Sequence, residues 1–115
     1  MKVYHNPSCS KSRVCVEVLK EKGIPFETCT YLKQPLNAEE LMSLLTKLDM
    51  NPSALVRKNE PIYKEALKSG VLTEDEILHL MVEHPKLIER PIVERNGKAI
   101  VARPIERLAL FLANN

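Results

Sequence analysis

Cys9 is the residue in this chain best placed for chemistry. It stands in Tyr4-His5-Asn6-Pro7-Ser8-Cys9-Ser10-Lys11-Ser12-Arg13, after a short apolar run and before an amphipathic one. A thiol at the first turn of a helix faces unpaired backbone N–H groups and the positive end of the helix dipole. Both favour thiolate over thiol, and the thiolate is the nucleophile. The same N–H groups bind anions. One short segment therefore offers a nucleophile and an oxyanion site together.

The surrounding residues restrict which thiol chemistry is open. A dithiol redox site needs Cys-x-x-Cys, and the second position here is Ser12. A Cys-x5-Arg phosphatase loop needs an arginine where this chain has Cys15. If the intervening turn is helical, Cys9 and Cys15 are separated by a rise of ~9 Å, beyond the ~7 Å Cα limit for a disulfide. Cys15 lies beside Val18 and Leu19 and reads as a buried core thiol. Cys29 falls in a strand signal and reads as structural. Any redox cycle at Cys9 must then use an external thiol. His79 and His84 do not share a helical face, and no Cys/His spacing resembles a zinc site, so no metal is expected.

His5, four residues upstream at the end of the first strand, is a candidate to lower the Cys9 pKa further as a cation or hydrogen-bond donor. Three arginines sit beside loops or prolines: Arg57 in Ala54-Leu55-Val56-Arg57-Lys58-Asn59, Arg90 before Pro91, and Arg103 before Pro104. Arginine suits a tetrahedral oxyanion because its planar fork donates two parallel hydrogen bonds and keeps its charge.

These residues need elements to hold them. Lys2–His5 reads as a strand closed by Asn6-Pro7. Ser10–Lys22 reads as a helix with Val14, Val18 and Leu19 on one side and a stop at Gly23. Pro25–Tyr31 reads as a second strand, partly exposed at Glu27 and Thr28. Asn37-Ala38-Glu39-Glu40 and Thr73-Glu74-Asp75-Glu76 are capping boxes. The first opens a helix with a stripe of Leu41, Leu44, Leu45 and Leu48. The second opens a helix to about His84, stopped by Pro85. Asn51–Leu67, broken by Pro52 and Pro61, reads as short helical pieces. Ile92-Val93-Glu94 and Ala99-Ile100-Val101, joined through Asn96-Gly97, read as a hairpin. Pro104 is expected in the first turn of a last helix carrying Leu108, Phe111 and Leu112. The order β-α-β, helical insert, β-β, α predicts an α/β thioredoxin-like fold. It has a mixed four-stranded sheet and an inserted helical subdomain.

The chain has 115 residues, 44% of them apolar, which suffices for one domain with its own core. Its 17 basic and 15 acidic residues leave a net charge of +2, which gives no global electrostatic argument for nucleic acid. No apolar run is long enough for a membrane span. The opening Lys2-Val3-Tyr4 has no h-region, so the expected location is the cytoplasm. There the three cysteines are expected to be free thiols.

The loop Asn6-Pro7-Ser8-Cys9-Ser10-Lys11-Ser12-Arg13 resembles the active-site loop of the glutaredoxin-linked arsenate reductases, the ArsC family of the thioredoxin-like superfamily. Leu55-Val56-Arg57-Lys58-Asn59, Glu89-Arg90-Pro91-Ile92-Val93 and Ala102-Arg103-Pro104 are similar to that family's arginine segments, in the same order. The resemblance covers nearly the whole chain. It implies one thioredoxin-like domain over 1–115, with the helical insert at about 37–88. It implies that Cys9 is the nucleophile, that His5 helps to keep it ionised, and that Arg57, Arg90 and Arg103 bind the arsenate oxygens. Asn6, Ser12, Arg13 and Pro91 would support the loop. The implied cycle begins with attack of the Cys9 thiolate on arsenate and loss of an oxygen as water. Glutathione, a co-substrate rather than a bound cofactor, then reduces As(V) to As(III). Glutaredoxin finally takes the glutathione from Cys9. The expected protein is a monomer serving arsenic detoxification, with no nucleic-acid or membrane partner.

Two other readings use the same residues. One is a monothiol, glutathione-dependent reductase of a different substrate. The other is an RNA polymerase-binding regulator of the Spx type, which shares the fold but typically senses oxidants through Cys-x-x-Cys. Ser12 and the three arginines favour an anion-handling enzyme over the regulator.

Overall fold

A computed structural model describes residues 1–114. They divide into two compact units, Met1–Gln34 with the C-terminal stretch from Arg90, and Pro35–Glu89.

The first unit holds the sheet. Its elements are β1 (Lys2–Tyr4), α1 (Ser10–Glu21), β2 (Glu27–Cys29), β3 (Ile92–Arg95), β4 (Lys98–Val101) and α6 (Glu106–Asn114). The sheet order is β2-β1-β3-β4. β1 runs parallel to β2 and antiparallel to β3, and β3 runs antiparallel to β4. This is the mixed four-stranded sheet expected of a thioredoxin-like chain. β2 is shorter than the strand expected over Pro25–Tyr31 because its neighbour, β1, supplies three residues for pairing. As an edge strand it leaves Glu27 and Thr28 exposed. Asn96 (φ 53°) and Gly97 (φ 76°) close the β3–β4 hairpin, both in the left-handed region that a two-residue turn of this kind requires.

Alternation along the strands sends Val3, Val93 and Ile100 to one face. There they pack with Cys15, Val16 and Leu19 of α1 and Leu108 and Phe111 of α6. The buried stripe of α1 is Ser12, Cys15, Val16 and Leu19. Val14, expected on the apolar side, is 46% exposed. It lies two positions from both Ser12 and Val16, about 200° around the helix from each. The polar Ser12 occupies the place in the stripe that a count of apolar residues assigns elsewhere. After α1, the N–H groups of Gly23 and Ile24 return to the carbonyls of Lys20 and Leu19. Gly23, at φ 68°, permits that reversal. Pro104 does not lie in the first turn of the last helix. The Arg107 N–H bonds back to Pro104 O and the Leu108 N–H to Ile105 O, a turn that precedes α6 at Glu106.

The second unit is helical: α2 (Ala38–Leu48), α3 (Pro52–Leu55), α4 (Pro61–Leu67), α5 (Glu74–Glu83) and a 3-10 turn at Pro85–Leu87. Both capping boxes form, with Asn37 and Thr73 accepting from the N–H groups of Glu40 and Glu76. Leu41, Leu44, Leu45 and Leu48 are buried along α2, which packs against α5. Val56 and Ile88 form an isolated antiparallel bridge that ties the segment after α3 to the end of this unit.

Candidate active site

The loop after β1 is built by Asn6. Its carbonyl accepts the Cys9 N–H at 2.9 Å, and its side-chain Oδ1 accepts the Ser8 N–H at 3.0 Å. Asparagine at the first position and proline at the second are what such a turn favours, since Asn bonds its own backbone two residues on and Pro pre-sets φ. Asn6 is buried. The Arg13 Nη1 donates to the Pro7 carbonyl at 2.9 Å, binding the loop to the first turn of α1. The turn leaves Cys9 in extended backbone as the N-cap residue of α1, with its carbonyl accepting the Arg13 N–H at 3.1 Å.

The Lys11 and Ser12 N–H groups, which a cap serine or aspartate oxygen would accept, face the Cys9 sulfur without forming a full cap hydrogen bond. That sulfur collects charge-stabilising neighbours. Burial works against ionisation, but the Ser12 N–H, a hydrogen bond from the Arg90 side chain, the Lys11 N–H and the Arg90 charge outweigh it. The thiol is lowered to about 7. Cys15, fully buried in the core, is pushed by burial up to about 11. Cys29 lies half-buried in β2, and all three cysteines are free thiols. Of Cys9 and Cys15, Cys9 is thus the one substantially ionised at neutral pH.

Strand register explains how Arg90 arrives. Ile92 pairs with Tyr4 of β1 and with Val101 of β4. The Ala102 N–H bonds to Pro91 O at 2.9 Å, which carries the β3–β4 pairing one step further. Extending the register places Arg90 opposite Arg103, at the sheet end from which the Asn6–Cys9 loop leaves β1. Both Arg90-Pro91 and Arg103-Pro104 are cis peptide bonds, and Pro91 is fully buried. Arg90 and Arg103 are each half-buried. The first unit therefore brings Cys9, Asn6, Ser12, Arg13, Arg90, Pro91 and Arg103 to one end of one sheet.

His5 lies at the same end, its N–H bonded to Cys29 O. Its pKa is lowered by burial and by the charges of Arg13 and Lys20. That favours the neutral imidazole over the cationic form of the two roles expected of His5. The activating charge comes from Arg90, eighty-one positions away in sequence. His5 Nδ1 and Ser12 Oγ are both buried without a hydrogen-bond partner. Buried polar atoms are normally paired, so these two stand out against the hydrogen-bonded backbone of the loop.

Arg57 belongs to the helical unit. Its N–H bonds to Leu87 O, and its Nη1 donates to Glu89 Oε1 at 3.3 Å. Its Nε faces Glu60 Oε1 at 3.5 Å. Sequence reasoning did not single out these two carboxylates. Glu60 was accessible to it, being three residues after Arg57. Glu89 was not, because only the Val56–Ile88 bridge sets it beside Arg57. Among the described residues no group of His, Cys, Asp and Glu is arranged to hold a metal ion, and no helix is long and apolar enough to cross a membrane.

Residues 4–111 match the ArsC family model. The chain is 46% identical over 110 residues to the uncharacterized protein YfgD of Escherichia coli, covering 94% of this chain and 92% of that protein. It is 40% identical over 114 residues to the arsenate reductase of Neisseria meningitidis, covering 97% of each. The solved structure of an arsenate reductase from Vibrio cholerae superposes with a TM-score of 0.87 at 43% identity, covering 96% of this chain and 97% of that one.

Proposed function

The chain belongs to the ArsC family, and from that premise we propose that it is an arsenate reductase with Cys9 as its nucleophile. The observation that carries the proposal is the Cys9 thiol drawn down to about 7 by the Ser12 and Lys11 N–H groups and by Arg90. Those donors can serve twice. They stabilise the thiolate before reaction and are placed to stabilise negative oxygen as the sulfur attacks.

In the proposed cycle the Cys9 thiolate displaces one oxygen of arsenate, which leaves as water after protonation. Glutathione thiolate then attacks the arsenic–sulfur adduct. The two sulfurs together give up two electrons, As(V) becomes As(III), and arsenite departs. Cys9 is left in a mixed disulfide with glutathione, and glutaredoxin removes the glutathione and restores the thiol. Ser12 in place of a second cysteine supports this external-thiol route, because the loop holds no thiol that could resolve the disulfide internally. Arg90, Arg103 and Arg57 are assigned to the arsenate oxygens. His5, disposed to be neutral, is assigned to proton handling rather than to charge.

The test is arsenite production from arsenate with glutathione and glutaredoxin, for wild type and Cys9→Ser. Turnover in wild type and none in the variant is expected. Absence of turnover in wild type at saturating arsenate would overturn the activity. Persistent turnover in Cys9→Ser would overturn the site.

A further inference from the structure

Arg57 is held by two carboxylates at once. Glu89 accepts from Nη1 at 3.3 Å, and Glu60 Oε1 stands 3.5 Å from Nε. The arrangement is built into the backbone. The Arg57 N–H bonds to Leu87 O, and the Glu89 N–H bonds to Leu55 O at 3.1 Å, so the two short segments lie side by side. Glu60 is set by the turn in which its own N–H returns to Arg57 O. All three side chains are two-thirds or more covered, at 23% exposure for Arg57, 22% for Glu60 and 33% for Glu89. The pairs are therefore less screened than surface ion pairs.

A guanidinium grips an oxyanion with two donors on one edge, either Nε with one terminal nitrogen or the two terminal nitrogens together. Here Glu60 stands at Nε, which is buried without a hydrogen-bond partner, and Glu89 takes Nη1. Each two-donor edge is met by a carboxylate.

We propose that Glu60 and Glu89 form a carboxylate latch on Arg57, which an oxyanion must displace and which closes again when the anion is gone. The proposal rests on the assignment of Arg57 to the arsenate oxygens. The latch makes Glu60 and Glu89 positioning residues that set oxyanion affinity. It also favours release of product, since arsenite is an uncharged acid at neutral pH and cannot compete with two carboxylates for the guanidinium.

The sign of one measurement separates a latch from a brace. Inorganic phosphate, an unreactive tetrahedral oxyanion, is titrated into the full chain, and Kd is taken from amide shifts. Glu89→Gln and Glu60→Gln keep side-chain size and remove charge. Each is expected to tighten phosphate binding about threefold to fivefold, the scale of a partly screened ion pair. In an Arg57→Ala background neither substitution should change Kd. Thermal melts of each variant report that the fold is kept. Unchanged or weaker phosphate binding in folded Glu89→Gln and Glu60→Gln would overturn the latch, even where Arg57→Ala weakens binding as the assignment requires. If Arg57→Ala itself leaves phosphate Kd unchanged, the assignment of Arg57 has failed, and the latch falls with it.

Discussion

The Arg90 side chain hydrogen-bonds the sulfur of Cys9, joining a residue two positions before β3 to the residue before α1. The contact follows from register. β3 lies beside β1 with Tyr4 opposite Ile92, so the chain entering β3 passes the loop that leaves β1. Helix start and arginine therefore act on the same atom from two distant parts of the sequence.

Removal of the arginine should show in the titration of Cys9. Alkylation of wild type by iodoacetamide is expected to follow an apparent pKa of about 7. In Arg90→Ala it should move upward, toward the ordinary thiol value of about 8.5. Arg90→Lys should fall between, because it keeps the charge and loses the planar fork. An unchanged pH profile in Arg90→Ala would mean that the helix N–H groups alone activate the thiol.

Cys9, at the cap of α1, and Cys15, within it, should give stability pH dependences of opposite sign. Cys9 is lowered to about 7 in the folded chain, against about 8.5 when unfolded. Between those values the unfolded chain holds more protons, so stability rises with pH, and the contribution is lost as pH falls through 7. Solvent screening limits it to about 1 kcal/mol. Cys15 is raised to about 11. Above about pH 8.5 the unfolded chain loses that proton first, so stability falls as pH rises, by about 2 kcal/mol at about pH 10. Denaturant unfolding from about pH 6 to about pH 10 checks both. Cys9→Ser should flatten the rise, and Cys15→Ala should flatten part of the alkaline fall.

Asn6 should matter through geometry. Asn6→Ala removes the acceptor for the Ser8 N–H at a buried turn. The expected cost is about 1–2 kcal/mol, with a higher apparent pKa for Cys9 as the loop loosens. Asn6→Asp keeps an acceptor oxygen and should retain most of the stability. Thermal melts and alkylation rates on the same samples separate the two effects.

The helical unit should respond independently of the thiol. Asn37→Ala and Thr73→Ala each break a complete capping box. Each should cost about 1 kcal/mol, read by denaturant unfolding. The alkylation pKa of Cys9 should stay unchanged, since neither cap is among the groups acting on its sulfur.

Local features were legible in the residues themselves. Both capping boxes, the Asn96-Gly97 hairpin, the stop at Gly23 and the helix-start thiol at Cys9 depend on backbone preferences over a few positions. Side chains within one turn decide such features. The order of elements then implied the mixed sheet. Periodicity was less reliable where a polar residue shared the buried stripe: Ser12 is covered and Val14 is exposed, although apolar counting puts Val14 inside.

What only the tertiary structure decided are the relations between distant segments. Arg90 rather than His5 supplies the charge at Cys9. Burial and two neighbouring cations hold His5 toward its neutral form. Glu89 meets Arg57 only because a backbone bridge lays their segments side by side. The sequence determined the helix-start thiol at Cys9 and the turn that presents it, because the responsible groups are neighbours along the chain. Its charge environment, and the carboxylates set against Arg57, come from strand register and burial, which exist only once the chain has folded.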